Sequence, residues 1–114
     1  MESSAEAKQI RLDEKTLFEF GCNLENNHLK VTLSEIDSSS PSLYAKNLTL
    51  EEFHKMNPSF KSCDSLEKVK SHMDAIFQSK KVKISQPKEN EINLTFQIYI
   101  ISNVEEFHII LEKK

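Results

Sequence analysis

The apolar spacing of this 114-residue chain changes twice along its length, and those changes restrict its architecture more than any motif does. From Leu17 to Leu24 the residues Phe18, Phe20, Cys22 and Leu24 fall on one side, and Leu29, Val31 and Leu33 repeat the pattern. Alternation of period two is the mark of a half-buried strand. Between the two runs, Glu25-Asn26-Asn27-His28 is turn chemistry, because asparagine tolerates positive φ. Residues 16–36 are therefore predicted to form a hairpin, and Leu43–Leu48, beyond the polar DSSSP loop, a further strand.

At Thr49 the period becomes about 3.6. Thr49-Leu50-Glu51-Glu52 has the T-x-x-E spacing of a capping box. It opens a short helix with Leu50, Phe53 and Met56 on one face, which Pro58 closes from beyond. Asp64-Ser65-Leu66-Glu67 starts a second helix, with Asp64 expected at the cap. Leu66, Val69, Met73, Ile76 and Phe77 then make an amphipathic stripe over 65–79. After Lys81 the period returns to two. Val82 and Ile84 begin a strand, residues 86–90 turn it, Ile92 to Ile100 is the longest alternating run in the chain, and Phe107, Ile109 and Leu111 form the last strand.

Strands, two grouped helices, then strands again argue against a parallel βαβ alternation. The expected fold is α+β: a small, mostly antiparallel β-sandwich or open barrel, with a helix–turn–helix inserted between the N-terminal and C-terminal strands. Residues 1–13 are expected to be a loosely ordered lead-in, ending in at most a short strand. Residues 14–114 are expected to be a single globular domain, a length that supports one core.

Chemistry finds little foothold. The single glycine, Gly21, rules out a glycine-rich phosphate loop. His28, His54, His72 and His108 are not spaced to share a metal with one another or with Cys22 and Cys63. Cys63 precedes a helix start, which favours a thiolate, but no motif surrounds it and a small apolar plug is the plainer reading. Glu51-Glu52 belongs to a helix start, and Glu105-Glu106, adjacent on a strand, points to opposite faces. No catalytic residue, metal or cofactor is expected, and the chain is not read as an enzyme. The net charge is −3, and the basic run Lys80, Lys81, Lys83 has no interleaved aromatic. It reads as a solvated helix end, so nucleic acid is not an expected partner. No apolar run approaches the roughly 18 residues of a membrane helix, so no membrane role is expected. The polar start and the two cysteines, far apart in the sequence, point to a reducing, cytoplasmic setting. The sequons at Asn47 and Asn93 are read as chance matches.

One stretch breaks the alternation. Tyr99, Ile100 and Ile101 stand in a row, and Ile110 follows Ile109. If Ile98, Ile100, Phe107, Ile109 and Leu111 face the core, then Tyr99, Ile101 and Ile110 face away and could form one cross-strand cluster. The alternative is that the helices or the lead-in cover them. Left in water, such a patch marks a contact surface.

The block from Leu29 to Lys114 runs from a hairpin into KNLTLEEFHKMNPSFKSCDSLEKVKSHMDAIFQSKK and then three strands. This order resembles the globular head of the centriolar cartwheel protein and of the related DNA end-joining scaffold proteins. The resemblance implies a β-sandwich head with a helix–turn–helix between its middle strands, and a dimeric coiled coil leaving its C-terminus. It also implies association through the last hairpin, whose apolar tip enters a pocket on a neighbouring head. The expected function is thus a protein-interaction head, for oligomerisation or docking, of a scaffold or cytoskeletal coiled-coil protein. Its partner would be a second copy or another scaffold protein, a homodimer being one such assembly, in a cytoplasmic or cytoskeletal location. The expected contact residues are Tyr99, Ile101, Val104 and Ile110. The second expectation is a carrier of a small apolar ligand or lipid in a cavity between sheet and helices, which seven phenylalanines and three methionines could line.

Overall fold

One antiparallel sheet carries the chain, in the strand order β1-β2-β3-β4-β7-β6-β5. The computed structural model describes residues 9–12, 15–36, 39–79, 81–100 and 103–114. The strands are β1 (Gln9–Leu12), β2 (Thr16–Glu25), β3 (His28–Ile36), β4 (Leu43–Leu48), β5 (Val82–Lys88), β6 (Glu91–Ile100) and β7 (Asn103–Lys113). Between β4 and β5 lie helix α1 (Leu50–Met56), a 3-10 turn (Pro58–Ser62) and helix α2 (Leu66–Gln78). The two edge strands, β1 and β5, approach each other, so the sheet curls into a nearly closed barrel. At that level the α+β expectation is met: an antiparallel barrel-like sheet with two helices.

Local chemistry explains most of the element boundaries. Asn26, at φ 36°, takes the left-handed conformation that turns β2 into β3. Thr49 and Glu52 form the full capping box, the Thr49 side chain accepting from the Glu52 amide and the Glu52 carboxylate from the Thr49 amide. The second cap differs from expectation. Ser65, not Asp64, sits at the N-cap and accepts from the Lys68 amide, while Asp64 makes an ion pair with Lys68 at 2.9 Å. The helix begins at Leu66, so Ser65 is the residue beside the free amides, and Asp64, one residue earlier, reaches the lysine instead. Pro58 opens the 3-10 turn, where its missing N–H costs nothing. β5 runs on to Lys88 through a register shift after Ser85, so the turn is only Glu89-Asn90. Residues 9–12, inside the expected lead-in, form β1, with Leu12 in the core.

The helices lie on the inner side of the sheet. Phe77 of α2 stacks on Phe20 of β2, with centroids 4.2 Å apart and planes 7° apart. Phe96 and Phe107 stack at 5.0 Å across β6 and β7. β4 and β7 pair only at Tyr44–Lys113 and Ala45–Glu112. Further along β7 the 3-10 turn takes over: Phe60 packs edge-on against Phe107, and the buried Asn57 donates through Nδ2 to Glu105 at 3.3 Å. Among the described residues no helix is long and apolar enough to cross a membrane.

Candidate interaction surface

On the inner face of β6 and β7, Ile92, Leu94, Phe96, Phe107, Ile109 and Leu111 are all buried, and Glu105 joins them nearer the tip, opposite Ile98. Strand alternation therefore turns Tyr99, Val104 and Ile110 outward. Because the helices pack on the inner side, neither helix covers this outer face: Tyr99 is 59% exposed, Val104 52% and Ile110 47%. The covering by helices that the sequence left open is not what the fold does.

Register decides which of these residues meet. Tyr99 lies directly opposite Val104 at the tip of the hairpin. Next along the outer face come Gln97 and Glu106, joined by Gln97 Nε2 donating to Glu106 Oε2 at 3.0 Å. Thr95 and His108 follow, with Oγ1 and Nδ1 2.9 Å apart. Only then does Ile110 appear, opposite Asn93. Six strand positions separate Val104 from Ile110, about 20 Å at the usual rise. The single cluster expected from Tyr99, Ile101 and Ile110 is thus corrected: two polar pairs interrupt it, leaving a Tyr99–Val104 patch at the tip and a separate Ile110. Ile101 lies outside the described residues.

The tip has a member that the sequence did not suggest. Gln97 N–H donates to the Lys81 carbonyl at 2.8 Å, extending the β5–β6 ladder by one residue. That places the Lys81 ammonium 4.8 Å from the centre of the Tyr99 ring. A cation over an exposed ring contributes about 0.5–1 kcal/mol and holds the phenol in one orientation. The sequence places Lys81 as a cation at the helix end; only the strand register reveals its place beside an aromatic.

The remaining chemical candidates are occupied structurally. His54 Nε2 donates to the Cys63 carbonyl at 2.7 Å, tying α1 to the end of the 3-10 turn. His72 on α2 meets Ser59 Oγ at 3.3 Å through Nε2 and packs edge-on against Phe60 at 5.1 Å. Burial holds the His72 imidazole below its ordinary range. Cys22 and Cys63 are both buried, and no disulfide joins them. Glu105 and Glu106 point to opposite faces, one to Asn57 and the other to Gln97. Among the described residues no three His, Cys, Asp or Glu side chains gather as a metal site. Between sheet and α2 lies the Phe20–Phe77 stack, and Phe96 and Phe107 stack on one another across β6 and β7. Comparison of this chain with protein-family models, with curated proteins and with solved structures finds no match.

Proposed function

We propose that this chain is a protein-interaction domain that docks through the tip of the β6–β7 hairpin and has no catalytic role. The observation that carries this reading is the Tyr99–Val104 pair, two large apolar side chains facing one another in water on a regular ladder. Because the strands fix both side chains, a partner would meet a preformed surface and little ordering entropy would oppose binding. Lys81, over the Tyr99 ring, adds a charge at the rim. On this reading α1, the 3-10 turn and α2 correspond to the helix–turn–helix of the heads that the sequence resembles. The partner would be a second copy or another scaffold protein, in a cytoplasmic or cytoskeletal assembly. The carrier reading ranks second, because aromatic rings occupy the interior it needs.

Val104→Glu tests the proposal. Burying a valine is worth roughly 1.5 kcal/mol or more, so the substitution should weaken association at least tenfold while far-UV circular dichroism and thermal midpoint stay unchanged. Sedimentation velocity reads self-association, and affinity capture with wild-type and Val104→Glu baits reads other partners. A monomer at every concentration, together with identical proteins retained on both baits, refutes it.

A further inference from the structure

On different elements from the hairpin tip, three leucines converge on an open groove of about 380 Å³. Leu24 comes from the end of β2, Leu50 is the first residue of α1, and Leu66 is the first residue of α2. Leu24 shares the inward parity of Phe18, Phe20 and Cys22, yet is 43% exposed. β2 carries its apolar face past the part of the sheet that the helices cover. Leu50 and Leu66 are half-buried against the core, so the floor of the groove is a continuation of the core itself. The turn residues Asn26 and Asn27 form one wall.

The rim is charged with one sign. Glu25 and Glu67 complete the lining, and among the described residues no lysine or arginine lines the groove. The nearby Lys68 is already engaged by Asp64 at 2.9 Å. Glu25 has His28 Nε2 3.1 Å from its Oε1, a partner that leaves the second carboxylate oxygen for another donor. Glu51 adds a further exposed acid beside Leu50.

We propose that this groove is a second docking site, independent of the hairpin tip, whose occupant is a partner segment carrying an apolar anchor flanked by lysine or arginine. The anchor sits on Leu24, Leu50 and Leu66, and the flanking cations meet Glu25 and Glu67. An acidic or phosphorylated segment would meet repulsion from both carboxylates. The volume suits one large aliphatic or aromatic side chain with its neighbours, at the low end of binding sites.

Selection of phage-displayed random peptides on the intact chain tests this. Enriched sequences should place an apolar residue beside lysine or arginine. Their binding should weaken at least tenfold on Leu24→Asp and on Glu67→Lys, less on Glu67→Gln, and should be unchanged on Val104→Glu. Both groove positions can be altered without touching the buried core, and circular dichroism checks that the fold is kept. Failure to enrich, enrichment of peptides without cations, or equal binding to Leu24→Asp overturns the proposal. So does self-association of the wild type that Glu67→Lys abolishes, since the occupant would then be a second copy. Loss of association in Val104→Glu with these peptides unaffected separates the hairpin-tip reading from this one.

Discussion

Replacing Phe77 by alanine probes the packing on which the fold rests, the insertion of α2 into the curl of the sheet. Phe77 is 2% exposed, and its ring lies flat on Phe20 at 4.2 Å. Removing the ring forfeits a transfer contribution of about 2–3 kcal/mol. A residual void on the order of 50–80 Å³, at about 24 cal/mol per Å³, adds roughly 1–2 kcal/mol. The expected loss is therefore about 3–5 kcal/mol, a large fraction of the roughly 6–17 kcal/mol typical of a chain this long. Urea unfolding followed by far-UV circular dichroism measures it, with an unchanged slope if both states keep their compactness. Phe77→Leu, which refills most of the space, should cost about 1 kcal/mol. A loss below about 1 kcal/mol in Phe77→Ala would refute the packing argument, because a helix lodged against the barrel interior cannot lose that ring cheaply. The same variant separates the interaction and carrier readings. A small apolar probe such as xenon should stabilise Phe77→Ala, whose void it can enter, and leave the wild type unaffected.

Two further outcomes follow from side chains already placed. Burial by Ser59 and Phe60 holds His72 below its ordinary value of 6.5. The unfolded chain therefore binds more protons just below that value, and stability, complete above it, falls as the pH drops through the folded value. The urea midpoint should be higher at about pH 7.5 than at about pH 5.5, and His72→Gln should flatten the difference; identical pH profiles for the two proteins would count against it. Gly21 faces Thr32 across β2 and β3, and a Cβ there would lie 2.9 Å from Thr32 Oγ1. Gly21→Ala should destabilise by about 1 kcal/mol in the wild-type background and not when combined with Thr32→Ala, a coupling that a double-mutant cycle reads directly.

The elements of this fold were legible because their periods differ. Ile92, Leu94, Phe96 and Ile98 announce an inward face whatever lies next to them, and Val69, Met73, Ile76 and Phe77 announce a helical one. Pairing was not legible, since alternation says which way a residue points and not what stands opposite. Alternation alone groups Ile110 with Tyr99, whereas the register sets it against Asn93, with Gln97–Glu106 and Thr95–His108 intervening. The same limit hid Lys81, whose neighbour across the sheet is three-dimensional information. The choice of Ser65 over Asp64 as a cap depends on the residue at which the backbone enters the helix, which composition cannot resolve. The Leu24–Leu50–Leu66 groove draws on three elements far apart in the sequence, and no local pattern marks it.

The two-pair seam between β4 and β7 also bears on how the chain is made. Every strand meets a sequence neighbour in a local hairpin or meander, but the second edge of β4 must wait for a strand roughly 70 residues later, on the order of 4–14 s at ordinary ribosomal speed. During that interval an unfinished β4 presents open amides and carbonyls to any other nascent chain. Lys46 and Asn47, both exposed on that strand, are the kind of side chains that discourage such mispairing. Substituting them with valine would leave the finished barrel almost unaltered and make its synthesis prone to aggregation.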